Sequence, residues 1–124
     1  MSNIEFRIHH SSVIVADTAR SLKFYHEVLG LPLADRPDMG FPGAWLQLGE
    51  QQIHIMELEN PDPTTGRPKH GGRDRHVALC VKHLAPVREL LDKHEIPYTL
   101  SISGRQALFC RDPDGNAIEI LEQI

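Results

Sequence analysis

The chain has 124 residues, of which 40% are hydrophobic and 24% charged, and this predicts one globular domain, residues 1–124, with its own core. The formal charge of −4 argues against nucleic acid or an anionic membrane as a partner. The first ten residues lack the apolar segment of a signal peptide, and no apolar run approaches the roughly 20 residues that span a bilayer. Cys80 and Cys110 lie in strand-like runs, so we expect free buried thiols and a cytoplasmic protein.

The first half of the chain predicts a strand, a helix and then three strands. In IHHSSVIVAD, residues 8–17, Val13 and Val15 share one face of a strand. Asp17 or Thr18 can cap the helix that follows. That helix has apolar residues at helical spacing and a glycine that fits its end: Leu22, Tyr25, Val28, Leu29 and Gly30. The three extended stretches after it cover about 32–36, 44–48 and 52–58.

The second half repeats this order of elements. RHVALCVK, residues 75–82, is an alternating strand, and the helix after it ends before Ile96 and Pro97. Three extended stretches follow, at about 98–102, 105–111 and 116–122, with a DPDG turn between the last two. Residues 60–73 are rich in proline and glycine and have no hydrophobic period. We interpret them as the linker between two βαβββ repeats, about 6–59 and 74–124.

An overlay of the repeats pairs four potential metal ligands. HSSVIV matches HVALCV, which places His10 on His76, and QIHIME matches AIEILE, which places His54 on Glu119. Residues of like parity share a face of a strand, and each of these four side chains lies opposite an aliphatic face that can pack on a helix. The repeat therefore predicts that all four side chains point to the other face of their sheets, where they can converge.

Glu119 raises the question of its partner, because its strand is apolar on both faces. An unpaired buried charge costs several kcal/mol, so we expect a cation beside it. A lone histidine in a strand is more often structural than a ligand, and a lone glutamate can pair with arginine or lysine. The repeat-related placement of all four side chains favours a shared divalent metal ion. The remaining histidines are interpreted as surface or packing residues: His9, His26, His70, His83 and His94.

The order of elements and three motifs carry a family resemblance. The chain opens with IHHSSVIVAD, continues with SLKFYHEVLGL and closes with FCRDPDGNAIEI. It resembles the vicinal oxygen chelate superfamily, which includes glyoxalase I, bleomycin-resistance proteins and extradiol dioxygenases. The segment GAWLQLGEQQIHIME, residues 43–57, is most similar to glyoxalase-I-like proteins. The resemblance implies an α+β fold of tandem βαβββ modules, whose curved mixed sheets surround a metal cavity and pair in a homodimer.

The resemblance also implies a site and a reaction. The metal ligands would be His10, His54, His76 and Glu119, in some relatives drawn from modules of two chains, and Glu119 would act as the catalytic base. The implied enzyme is a lyase or isomerase of lactoylglutathione lyase type. In glyoxalase I the position of His54 is usually a glutamate, so this sequence departs from the pattern there and leaves the substrate open.

The ligand types indicate which metals and substrates suit the site. Three imidazoles and one carboxylate suit Zn²⁺, Ni²⁺, Mn²⁺ or Fe²⁺. Four protein ligands around an octahedral ion leave two positions, which two vicinal oxygens of a small substrate can fill while the metal stabilises an enediolate.

Two other functions stay open at this point. An extradiol dioxygenase uses two histidines and one carboxylate, which His10, His76 and Glu119 would provide if His54 stood away from the metal. A non-catalytic protein of the same fold would bind a drug or metabolite, with Trp45 as a stacking platform. Tyr98 and Arg105 are further candidates for contact with a substrate.

Overall fold

The computed structural model describes residues 3–123 and shows two units with the same order of elements. Residues 1, 2 and 124, which the predicted domain includes, lie outside the described residues. The first unit consists of β1 (His10–Val15), α1 (Thr18–Leu22) with a π-helical continuation (Lys23–Val28), β2 (Leu33–Ala34), β3 (Gly43–Leu48) and β4 (Gln51–Glu57). The second consists of β5 (His76–Val81), α2 (Ala85–Lys93), β6 (Tyr98–Leu100), β7 (Ala107–Arg111) and β8 (Ala117–Glu122). A short 3₁₀ turn, Gly71–Arg73, lies between the units.

Each unit forms one four-stranded mixed sheet. The strand orders are β1-β4-β3-β2 and β5-β8-β7-β6. In each sheet the first and last strands of the unit are parallel neighbours, and the other pairs are antiparallel. Ser12 lies opposite His54 in the first sheet, and Ala78 lies opposite Glu119 in the second, so the registers are equivalent. The predicted α+β fold class with tandem βαβββ units is confirmed.

The two sheets share one hydrophobic core on their helix-facing sides. Ile53 and Ile55 of β4 and Ile118 and Ile120 of β8 are buried in it, as the alternation predicts. The core also contains Val15, Phe24, Tyr25, Leu46, Leu91, Leu108 and Cys110. Because side chains alternate across a strand, His54 and Glu119 point to the opposite faces of these sheets. Among residues 3–123, no helix has the length and apolar character needed to cross a bilayer.

The first helix differs from the prediction because its second half is a π-helix. The amide of Leu29 bonds to the carbonyl of Phe24, five residues back. This wider turn buries two consecutive aromatic side chains, Phe24 and Tyr25, where the predicted stripe included only Tyr25. The chain then turns at Gly30, whose φ of 76° is accessible to glycine, as predicted for the helix end.

The two cysteines are both free, but only one is buried. Cys110 lies in the core, where burial, with a smaller contribution from the charge of Asp112, raises the pKa of its thiol to about 12. The expectation that Cys80 is buried is wrong. It lies on the edge strand β5, is exposed, and its thiol donates to the side-chain oxygen of Gln123 at 3.0 Å.

A glutamate at the end of each sheet's parallel pair supports the helix of the same unit. Glu57 Oε1 accepts the amide of Thr18 at 2.8 Å, and Glu122 Oε2 accepts the amide of Leu84 at 2.9 Å. These carboxylates also interact favourably with the positive ends of the helix dipoles. The second helix has no side-chain cap of its own at Leu84, so Glu122 supplies the acceptor that its sequence lacks.

The DPDGN turn between β7 and β8 joins the second unit to the first. Asp114 Oδ1 accepts the amide of Ala16 at 3.0 Å and the guanidinium of Arg20 at 2.7 Å. The side-chain amide of Asn116 donates to the carbonyl of Ile14 at 3.3 Å. A motif that the sequence predicts as a turn therefore also connects the end of β1 and the start of α1 to the other sheet.

Asp112 of the same turn makes a buried contact with the first helix. Tyr25 donates its hydroxyl proton to Asp112 Oδ2 at 2.7 Å. Burial raises the pKa of Tyr25, and the negative charge of Asp112 raises it further. Burial also raises the pKa of Asp112, against the opposing effect of hydrogen bonds from Asn116 and Tyr25. The hydrogen bond between Tyr25 and Asp112 thus connects the two units inside the core.

The linker is held to the second sheet by a buried carboxylate. Asp74 is 6% exposed and bonds to Arg67 through both oxygens and to Arg111 through Oδ2 at 2.8 Å. Hydrogen bonds from Arg67 and then Arg111 hold the pKa of Asp74 well below its ordinary value. This cluster fixes the backbone immediately before His76.

We expect Asp74→Asn to lower the free energy of unfolding at pH 7 by about 2–3 kcal/mol. This is less than for a fully buried pair, because the two arginine side chains are 18% and 25% exposed. The folded-state pKa of Asp74 is lower than its unfolded value of 3.8, so the stabilisation is present above about pH 4 and is lost as the pH falls through the folded-state pKa. Urea unfolding of both proteins at pH 7 and pH 3 measures the difference.

The matched control is Asp62→Asn, which removes an exposed carboxylate that pairs with the exposed Arg75. We expect that change to alter stability by about 0.5 kcal/mol or less at either pH. A difference between wild type and Asp74→Asn that stays the same at pH 7 and pH 3 would contradict this account of the cluster.

Candidate metal centre

The second sheet brings His76 and Glu119 together. His76 begins the edge strand β5, Glu119 lies in the middle of the neighbouring strand β8, and Nε2 of His76 is 3.2 Å from Oε1 of Glu119. The Glu119 side chain is only 6% exposed. Its other oxygen, Oε2, accepts a hydrogen bond from Nη2 of Arg105 at 3.2 Å. The sequence predicts a cation beside Glu119, and the groups found beside it are a histidine and an arginine.

The orientation of His76 leaves its Nε2 as the ring nitrogen that faces Glu119, where it can carry a proton or bind a metal ion. Its Nδ1 lies 2.8 Å from the backbone carbonyl of Asp74, which can only accept, so Nδ1 carries the proton. In the neutral ring Nε2 then has its lone pair directed at the carboxylate of Glu119. Two acceptors 3.2 Å apart repel each other unless a proton or a metal ion lies between them. A histidine held through a backbone carbonyl beside a carboxylate is an arrangement that divalent metals favour.

The first sheet brings His10 and His54 together in a stack of three rings. The imidazole of His54 lies between His10, at a centroid distance of 3.9 Å, and Trp45, at 4.1 Å, with interplanar angles of 15° and 5°. His54 is buried. Burial lowers its pKa, and the neighbouring rings of His10 and His9 and the charge of Arg36 lower it further. His54 is thus favoured in the neutral form that binds metals.

Hydrogen bonds among side-chain amides determine which ring nitrogen of His54 carries the proton. The side-chain nitrogen of Gln47 donates to the carbonyls of Gly49 and Gln51, so its oxygen accepts from the side-chain nitrogen of Gln52 at 2.8 Å. The oxygen of Gln52 in turn accepts from Nε2 of His54 at 2.8 Å. Nδ1 is therefore the nitrogen of His54 that keeps its lone pair. His10 is oriented similarly through Nδ1, which lies 2.8 Å from Nδ1 of His9.

Within one chain the four predicted ligands form two pairs and not one centre. Across residues 3–123, no three histidine, cysteine, aspartate or glutamate side chains are grouped closely enough to hold one ion. The first sheet presents His10 and His54, and the second presents His76 and Glu119. We call these two pairs the first and the second half-site.

The three candidates for substrate contact lie in different places. Trp45 belongs to the first half-site, where one face of its ring is covered by His54, and Arg105 contacts Glu119 in the second. Tyr98 is paired with Cys110 in the sheet and packs on the core side. Its hydroxyl lies 3.3 Å from Arg88 Nε and 3.4 Å from Asp92 Oδ2 of α2. The structure does not bring Tyr98 to either half-site.

Sequence reasoning missed the residues that orient the predicted ligands. Gln52 could have been found, because it shares a strand face with His54 in QIHIME. Phe109 packs edge-on to His76 at 5.3 Å and also against His70, which acts as a packing residue. The carbonyl of Asp74 could not have been found, since no side-chain pattern reports where a backbone oxygen points.

Comparison with known proteins gives one family. The model of the Glyoxalase/Bleomycin resistance protein/Dioxygenase superfamily matches residues 7–120. The chain is 30% identical over 119 residues to Glyoxylase I 4 of Arabidopsis thaliana. This alignment covers 91% of this chain and 68% of the relative. The chain is 29% identical over 128 residues to lactoylglutathione lyase of Escherichia coli O157:H7, covering 94% of this chain and 93% of that protein.

Comparison with solved structures points to the same family. The crystal structure of a Bacillus anthracis protein attributed to the glyoxalase family superposes over the whole of both chains with a TM-score of 0.83 and 25% sequence identity. The resemblance predicted from the sequence motifs is confirmed by the match over residues 7–120. The chain belongs to the glyoxalase/bleomycin resistance protein/dioxygenase superfamily.

Proposed function

We propose that this protein is a divalent-metal-dependent enzyme of glyoxalase-I type, a lyase or isomerase acting on a small molecule that chelates the metal through two vicinal oxygens. The observation that carries the proposal is the second half-site, where Nε2 of His76 and Oε1 of Glu119 lie 3.2 Å apart. The similarity to a lactoylglutathione lyase supports the reaction class.

The complete centre would take one half-site from each of two chains. His10 and His54 of one copy and His76 and Glu119 of a second copy would hold one zinc, nickel, manganese or iron ion, in a homodimer with two equivalent sites. The division of the ligands into two pairs within one chain supports this form of the site.

A divalent ion held by these residues would supply Lewis acidity toward negative charge on two chelating oxygens of the substrate. The chain's own groups supply the rest. Glu119 is the buried carboxylate that would accept the substrate proton. The stack of Trp45 on His54 holds that imidazole in one orientation. With one carboxylate among four ligands, one base would serve one face of the substrate.

A second candidate, an extradiol dioxygenase, is favoured by one observation. Nε2 of His54 is bonded to Gln52, which leaves only Nδ1 for a metal, and its ring is held between Trp45 and His10. If His54 stays in that position, the remaining ligands are two histidines and one carboxylate, a set typical of non-haem iron oxygenases. The identity of the metal and the part that His54 plays in binding it separate the two functions.

The metal content of untagged protein, purified without chelator and measured by inductively coupled plasma mass spectrometry, tests this difference. We expect about one zinc, nickel or manganese ion per chain in the wild type, and an affinity at least roughly tenfold lower in His54→Ala. His83→Ala, which removes an exposed histidine outside both half-sites, is the matched control and should retain the metal.

Two outcomes would contradict the proposal. Iron retained equally by wild type and His54→Ala would make the dioxygenase the better assignment. If neither protein binds zinc, nickel, manganese or iron after reconstitution, the enzyme proposal fails and a metal-free binding protein takes its place.

Mixing two inactive variants tests whether the site is shared between chains. His54→Ala damages the first half-site and Glu119→Gln the second. In a mixed dimer one site carries both changes and the other carries neither, so random reassociation after co-refolding should restore roughly a quarter of the wild-type metal and activity.

The control mixture combines His10→Ala with His54→Ala. Both changes fall in the first half-site, so each site of a mixed dimer carries one damaged half, and nothing should be restored. If the first mixture also restores nothing while mixed dimers are present, the centre does not draw its ligands from two chains.

A further inference from the structure

Arg105 contacts the predicted catalytic carboxylate from a surface loop. The loop of residues 101–106 joins β6 to β7, and Arg105 reaches from it to Oε2 of Glu119 at 3.2 Å. Ser103 accepts hydrogen bonds from the backbone amide of Arg105 at 3.4 Å and from its Nε at 3.3 Å, and its hydroxyl pairs with that of Ser101 at 2.7 Å. The loop therefore directs the guanidinium at Glu119.

Compensation of the buried Glu119 charge explains only part of this placement. The Arg105 side chain is 61% exposed, whereas that of Glu119 is 6% exposed. Because water screens the exposed guanidinium, this pair contributes less to folding than a fully buried pair would. Oε1 of Glu119 already faces His76, so Arg105 is a second positive or potentially positive group at one carboxylate.

Arg105 also changes the charge of the proposed centre. A guanidinium stays protonated at all pH values that a folded protein survives. A divalent ion with Glu119 and neutral imidazoles leaves about one positive charge, and Arg105 beside Glu119 makes this about two. A site with that excess attracts a negatively charged ligand more strongly than a neutral ligand of the same shape.

The guanidinium has a nitrogen left for such a ligand. Nε bonds to Ser103 and Nη2 to Glu119. Nη1 makes no hydrogen bond with the rest of residues 3–123, and most of the side chain is open to solvent. A substrate carboxylate that gives one oxygen to the metal could therefore bond to Nη1 through its other oxygen, while Nη2 stays on Glu119.

We propose that Arg105 is an anion-binding residue of this site and that the substrate carries a carboxylate, one oxygen of which would chelate the metal while the other bonds to Arg105. This inference rests on the proposed function. It narrows the substrate from any small molecule with two vicinal oxygens to an anionic one, and it gives Arg105 a direct contact with the substrate.

Two small probes of equal shape and different charge test the proposal. Glycolate and glycolamide both present two vicinal oxygens, but only glycolate is negatively charged. Their dissociation constants are measured by isothermal titration calorimetry on the metal-loaded protein, at constant ionic strength. We expect the wild type to prefer glycolate, and Arg105→Gln to lose about tenfold of that preference while it binds metal as well as the wild type does.

Two further variants separate a specific contact from general charge. Arg75→Gln removes another exposed arginine that is ion-paired, with Asp62, and should leave the preference unchanged. Arg105→Lys keeps the charge without the planar fork and should recover part of the preference.

The outcomes distinguish this inference from the proposed function. Metal-loaded Arg105→Gln with the full wild-type preference would overturn the inference and leave the metalloenzyme in place. An equal loss of affinity for glycolate and glycolamide would also overturn it, since that result means damage to the site as a whole. A wild-type protein that binds none of the four metals overturns both.

Discussion

The carboxylate of Glu119 is a buried negative charge on a central strand, and other segments of the second half of the molecule supply the groups that balance this charge. It lies on β8 between two core isoleucines, at a position where an unpaired charge costs several kcal/mol. His76 on the neighbouring strand and Arg105 from the loop 101–106 are the two groups that approach it. The carbonyl of Asp74 bonds to Nδ1 of His76 and so directs its Nε2 toward the same point. Three separate segments of the chain thus converge on one charged group.

Much of this arrangement follows from the sequence, because alternation along a strand fixes which side chains share a face. The matching positions of His54 and Glu119, and of His10 and His76, predicted the register that the two sheets have. The lengths of the elements were less predictable. The stretch at 98–102 ends at Leu100, since the hydroxyls of Ser101 and Ser103 bond to each other and begin the loop that carries Arg105.

What the sequence could not predict depends on contacts between distant segments. The bonds from Asp114 to Ala16 and from Tyr25 to Asp112 exist only once the two units pack together. Tyr98 was a candidate for substrate contact, but a strand of three residues has too little alternation to fix its facing. The same limit applies to the site itself. Periodicity places four ligands on equivalent faces, but the separation of those faces is a property of the packed molecule.

The ring stack of the first half-site has an optical consequence. Trp45 is the single tryptophan of the chain, and its indole lies parallel to the imidazole of His54 at 4.1 Å. Indole emission is sensitive to a ring in van der Waals contact. The tryptophan fluorescence of this protein therefore comes from an indole that stacks on one imidazole. The second half-site contains no tryptophan and does not contribute. The chain therefore carries a built-in, label-free reporter of events at His10 and His54.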